Sequence, residues 1–238
     1  MARRRSYTVS GVSPVSTGRP RAIWLWIAVA VSLAVSLTPS AHLLLYPFRL
    51  FTTWIHECGH ALATVAVGGR VSAITIQPDA SGLTHSLVPE GRIARGVVAS
   101  AGYLGAALVG CLLIAATRVE RRANGLLAGV GAFMLLTLLL WIRNLFGAAV
   151  VLAWAVALLV LARRGLGRAA QLLVGLLAIQ VALNAVFDIR VLYLVDGPSD
   201  AVTMARLFLL PAWAWATVWM AVAIGMLGAT LWATRGRR

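Results

Sequence analysis

Two histidines and the glutamate between them are the residues of this sequence best suited to chemistry: His56, Glu57 and His60. In a helix the two histidines lie one turn apart on one face, and two imidazoles so placed can bind a single zinc ion. Glu57 can accept a proton from a zinc-bound water, whose pKa zinc lowers to about 7. The spacing indicates metal-assisted hydrolysis, in which Glu57 acts as general base and returns the proton to the leaving amine.

The position of this motif makes it more specific than its spacing alone. Two of the four histidines and one of the seven acidic residues fall within five positions, inside the apolar run 43–67. A charge near the centre of a bilayer costs about 2.5–3.5 kcal/mol, so Glu57 requires compensation, which a bound divalent cation provides. The alternative is a satisfied polar cluster without metal. The other histidines, His42 and His85, are interpreted as interfacial residues.

A catalytic zinc ion takes three protein ligands, so a third is expected here. We predict Asp188, because it directly ends the apolar run 169–187 and would be partly buried there. Asp200, in the following polar connection, is the alternative, and Asp188 could instead cap a helix or pair with Arg190. Asn184 lies one helical turn before Asp188 and could orient a substrate or stabilise an oxyanion.

The composition indicates that membrane helices must position these residues. Of the 238 residues 61% are hydrophobic and 12% charged, and the mean hydropathy is +0.88. A soluble domain is close to half apolar and needs more charge to cover its surface. The net charge of +14 comes entirely from arginine. The arginines lie in short loops and at the ends of apolar runs, which indicates contact with anionic lipid headgroups and no nucleic-acid partner.

Seven apolar stretches follow a basic N-terminal segment. A membrane-spanning helix needs about 20 apolar residues, so we predict an all-α membrane protein with about 6–7 transmembrane helices. Residues 1–21 are predicted to be a disordered basic tail, 22–234 a single multi-pass domain in the cell membrane, and 235–238 a basic end. The arginines divide almost evenly between the two sides and therefore predict no orientation. The stretches are 22–37, 43–67, 96–117, 123–142, 144–162, 169–187 and 207–234.

A β-hairpin is predicted directly after the motif helix. Residues 71–76 and 83–88 have strand character, and 78–82 form a turn cluster that contains proline and glycine. The open edges of a hairpin cannot face lipid, so it must lie at the surface or against the protein's own helices. There it could pair with an unwound substrate strand by edge addition.

Several segments together resemble the site-2 protease family of intramembrane zinc metallopeptidases, and its compact bacterial-type branch most closely. The resemblance implies that His56, His60 and a distant aspartate hold one zinc ion and that Glu57 is the catalytic base. The segments that carry it are Trp54–Ala63, Gly68–Val71, Ser81–Gly82, Ala101–Gly105, Arg143–Gly147 and Ser199–Ala201.

The function expected from these observations is an intramembrane zinc metalloprotease of the kind used in regulated intramembrane proteolysis. It would cleave a peptide bond in, or next to, a transmembrane segment of a membrane-protein substrate. One alternative is a non-catalytic membrane scaffold or chaperone with the same fold. A transporter agrees less well with the sequence, because the apolar runs contain few polar groups that could line a path.

Overall fold

The computed structural model describes residues 42–116, 120–165, 168–193 and 197–235. The predicted tail 1–21, the first apolar stretch 22–37 and the last three residues lie outside these ranges. Within them the chain is mostly helical, with seven helices and one two-stranded sheet. In chain order the elements are α1 (His42–Ala66), β1 (Arg70–Ile76), β2 (Gly82–Leu87), α2 (Arg92–Ala116), α3 (Glu120–Leu140), α4 (Leu145–Arg163), α5 (Arg168–Val191), α6 (Asp200–Leu207) and α7 (Ala212–Arg235).

Four of the described helices are long and apolar enough to cross a membrane: α2, α3, α4 and α7. The predicted number of about 6–7 spans is therefore not confirmed. The motif helix α1 has 25 residues, which is sufficient length, but it contains several polar residues and is not among these four. In α5 the apolar part is shorter and covers Leu172–Asn184.

Helix α1 packs against α2, α5 and the hairpin. Phe51 and Trp54 of α1 are buried, and the indole Nε1 of Trp54 donates to Thr137 Oγ1 of α3 at 3.0 Å. Gly59 of the motif allows the close approach of α2, because a Cβ at this position would lie 2.4 Å from the carbonyl oxygen of Ala101. Gly59 therefore serves the packing of α1 on α2.

The predicted hairpin is confirmed. Strands β1 and β2 pair antiparallel, and Ile74 and Ile76 of β1 turn their side chains into the core. In the turn, Asp79 Oδ1 accepts a hydrogen bond from Ser81 N at 2.8 Å, and Ala80 adopts a φ of 67°. Residues 78–80 form a three-residue hairpin loop that ends at Ala80. A residue with a left-handed backbone is common at the end of such a loop, although glycine is the usual choice.

The connection between α3 and α4 has only four residues, Trp141–Asn144, and it pairs with β1. Ile74 N donates to Trp141 O at 2.7 Å, and Arg143 N donates to Ile74 O at 3.1 Å. The side-chain amide of Asn144 then bonds both backbone groups of Ile76, donating to its oxygen at 2.7 Å and accepting from its nitrogen at 3.1 Å. The edge of β1 that does not pair with β2 is thus covered by the connection between α3 and α4, which the sequence did not predict.

Candidate metal centre

The spacing of the motif has the predicted effect, because α1 presents His56, Glu57 and His60 from consecutive turns. Glu57 and His60 are buried. The Nδ1 atom of His60 lies 2.7 Å from the carbonyl oxygen of Val98, to which it can only donate. The ring is thereby fixed with Nε2 toward His56, at an Nε2–Nε2 distance of 3.0 Å.

Asp200 completes a group of three possible ligands with these histidines. It is the first residue of α6. The N-cap of this helix is Ser199, whose side chain accepts a hydrogen bond from Val202 N at 3.3 Å. At this position Asp200 Oδ2 lies 3.4 Å from His56 Nε2 and 3.2 Å from His60 Nε2.

The spacing of these three atoms suits a zinc ion. Ligand atoms placed about 2.0–2.1 Å from a tetrahedral zinc ion are about 3.3 Å from one another. The measured separations of 3.0, 3.2 and 3.4 Å agree with this value. Two imidazoles and one carboxylate form a donor set typical of catalytic zinc sites, which leave the fourth position to water or substrate.

Gly102 of α2 leaves the space that an ion would need. A Cβ on this residue would lie 2.5 Å from the Nε2 atoms of both His56 and His60. Any larger residue would therefore place a carbon atom too close to both histidine rings. Gly102 therefore borders the group of possible metal ligands.

The carboxyl of Asp200 is held in the charged form that a cation requires. Partial burial by itself would raise the pKa of Asp200, but the hydrogen bonds with His56 and His60 outweigh it, so that the pKa lies below its usual range. The carboxylate is therefore available as a ligand at neutral pH.

The carboxylate of Glu57 contacts strand β2 through both of its oxygens. Thr84 Oγ1 donates to Glu57 Oε2 at 2.7 Å. A Cβ at Gly82 would lie 2.6 Å from Oε1, so this glycine permits the close contact. Gly82 and Thr84 are two positions apart, and in a strand such residues point to the same face.

The third ligand predicted first from sequence, Asp188, is not in the group found among the described residues, which contains the alternative, Asp200. Asp188 lies near the end of α5, and its side chain is outside the described part of the chain, so its role stays a prediction. Asn184 is buried and donates through Nδ2 to Thr52 Oγ1 at 3.1 Å, joining α5 to α1. A contact with substrate stays a prediction for Asn184.

Sequence reasoning missed Thr84, Gly82 and the site role of Gly102. The predicted hairpin and the small residues of α2 were the only sequence signals for these three positions, and neither signal indicates which side chain will contact the motif. His85 lies on β2 and is exposed, whereas the side chain of His42 is outside the described residues.

A comparison with protein-family models matches residues 17–230 to a family described as Peptidase M50B-like. This match covers most of the chain. The chain belongs to this family. The resemblance to site-2 proteases is confirmed, and M50 peptidases are zinc-dependent metallopeptidases, in agreement with the group of His56, His60 and Asp200. Four candidate membrane spans in an intramembrane protease family make this a membrane protein. No curated protein and no solved structure gave a significant match to the chain.

Proposed function

We propose that this protein is an intramembrane zinc endopeptidase, which hydrolyses a peptide bond in or next to a transmembrane segment of another membrane protein. The observation that carries the proposal is the convergence of three ligand atoms beside a buried glutamate. In the proposal His56, His60 and Asp200 hold one zinc ion. When bound, zinc would supply a Lewis acid and an activated water at neutral pH.

Glu57 is the proposed general base. It follows His56 directly in α1 and faces β2, whose Thr84 holds one of its oxygens. Burial excludes bulk water, which strengthens electrostatic interactions in the site. A carboxylate fixed in this way can take a proton from the attacking water and return it to the leaving amine.

Substrate binding is proposed at the outer edge of β2. The other edge of the hairpin, that of β1, is taken at Ile74 by the connection between α3 and α4. The predicted strand 71–76 therefore offers less of its backbone to a substrate than β2 does.

The direction of the backbone groups on β2 follows from two hydrogen bonds. The carbonyls of Ser81 and His85 accept bonds from β1 or from the residue after it. Alternate residues of an antiparallel strand turn their backbone groups to opposite sides, so the odd-numbered residues of β2 face β1 and the even-numbered residues face the outer edge. These residues are Gly82, Thr84 and Ser86. An unwound substrate that pairs there would lie beside Glu57.

The activity is tested with Glu57→Gln, which removes the base and keeps the shape of the side chain. The wild-type protein and the variant should each contain about one zinc per chain by elemental analysis. In membranes of the producing cell, a full-length membrane protein should accumulate only with the variant. Wild-type protein that binds no zinc would refute the proposal, and identical membrane proteomes would favour the non-catalytic scaffold.

The strand-pairing step is tested with a matched pair at Ser86. Ser86→Pro removes the outward N–H, whereas Ser86→Ala keeps it. We expect a raised KM for the proline variant and an unchanged KM for the alanine variant. Equal KM values would contradict pairing at this edge.

A further inference from the structure

We propose that Thr84 is a positioning residue that holds Glu57 in the orientation needed for proton transfer; this inference rests on the proposed function. The relevant contact is the donation from Thr84 Oγ1 to Glu57 Oε2 at 2.7 Å. The same hydroxyl lies 3.0 Å from the backbone oxygen of Glu57. The carboxylate is the nearer acceptor and the charged one, so it is the stronger partner of this single donor.

Glu57 depends on this contact because a glutamate side chain has several rotatable bonds. Fixing such a side chain by packing and hydrogen bonding is what places a catalytic group within the narrow range of productive geometry. Gly82 lies against the other oxygen of the Glu57 carboxylate. A Cβ at Gly82 would lie 2.6 Å from Glu57 Oε1 and 2.8 Å from Thr53 Cγ2. Strand β2 therefore restrains both oxygens from one face.

The hairpin can orient Glu57 only because it is itself fixed to the helices. Thr53 Oγ1 of α1 donates to Ala80 O at 2.7 Å, and Tyr46 donates to Pro78 O, so the turn is anchored on α1. On the opposite edge of the hairpin, the amide of Asn144 bonds both backbone groups of Ile76. A hairpin held from both sides transmits its position to Thr84 and from there to the base.

The experiment compares Thr84→Val with Thr84→Ser. Valine keeps the branched shape and removes the donor, whereas serine keeps the donor. With the substrate identified through Glu57→Gln, we expect Thr84→Val to lower kcat about tenfold, equivalent to about 1.4 kcal/mol, with KM and zinc content unchanged. Thr84→Ser should restore most of kcat. Thr75→Val is the matched control on β1, because Thr75 Oγ1 bonds Leu83 O at 3.4 Å, away from the base.

A second measurement does not depend on turnover. The chain has three glutamates, Glu57, Glu90 and Glu120, so zinc-loaded protein labelled with ¹³C at the glutamate carboxyl should give three carboxyl resonances. Glu57→Gln assigns one of them. We expect Thr84→Val to move that resonance alone, and Thr84→Ser and Thr75→Val to leave it close to its wild-type position.

The outcomes separate this inference from the proposed function. An unmoved Glu57 resonance in Thr84→Val, a wild-type kcat in that variant, or equal losses in the valine and serine variants would overturn the positioning role. Cleavage that persists in Glu57→Gln would instead refute the proposed function. If Glu57→Gln is inactive and Thr84→Val retains full activity, only the positioning role of Thr84 is refuted.

Discussion

Gly102→Ala is expected to weaken zinc binding while leaving the helix intact. The added Cβ would lie 2.5 Å from the Nε2 atoms of His56 and His60, whereas ordinary contact begins near 3.4 Å. In the metal-free protein the ring of His56 can turn away from the new methyl group, and a turn of the His60 ring costs only its hydrogen bond to Val98 O. In the metal-bound protein neither ring can turn, because both nitrogens must face the ion. The strain therefore falls mainly on the bound state.

The size of the effect follows from the cost of overpacking, which is about 1–3 kcal/mol. Placed on the bound state alone, this cost corresponds to zinc binding about 5- to 150-fold weaker. Replacement of a helical glycine by alanine also favours the helix by about 0.5–1 kcal/mol. The variant should therefore unfold no more easily than wild-type protein when both are metal-free.

Zinc affinity is measured by competition with a chromophoric chelator in detergent, and stability by thermal unfolding of the metal-free protein. Gly105→Ala is the matched control, because it lies on the same helix and its Cβ would be 3.6 Å from the nearest atom, Gly59 Cα. An affinity for zinc within twofold of wild type in Gly102→Ala, or an equal loss in Gly105→Ala, would show that Gly102 does not border the ion.

Three further predictions concern the third ligand and the hairpin. Asp200→Ala should weaken zinc binding by more than about 100-fold, because losing even a residue that only hydrogen-bonds to a metal ligand costs 10- to 100-fold. Asp188→Ala should leave zinc binding unchanged. If elemental analysis finds the zinc lost from Asp188→Ala and kept in Asp200→Ala, Asp188 is the third ligand. Ala80→Gly should stabilise the protein by about 1 kcal/mol in thermal or denaturant unfolding, because a left-handed φ of 67° disfavours alanine; a loss of stability would contradict this reasoning. Asn144→Ala removes two hydrogen bonds to Ile76 and should speed amide hydrogen exchange in β1 at least tenfold, since each lost bond costs about 1 kcal/mol; unchanged exchange would mean that this amide does not fix the strand.

The structure brings Asp200 to the two histidines, which the sequence alone did not indicate. Asp188 was preferred because it directly follows an apolar run, which is a local property. Asp200 begins a short helix of low hydrophobicity, and nothing near it in sequence indicates that it faces two histidines of α1. Its position is set by the packing of α6 against α2, where Arg92 donates to the carbonyl of Leu207 at the end of α6.

The sequence alone determined the membrane class, the two motif histidines on one helix face with Glu57 next to them, and the hairpin after the motif. These features depend on composition, helical period and turn residues, all of which act between neighbours in the chain. Only the tertiary structure decided that Gly102 borders the histidines and Thr84 the glutamate, and that the connection after α3 covers β1. Such contacts join residues distant in sequence, and they are selected by how closely helix and strand backbones can approach, which no local pattern encodes.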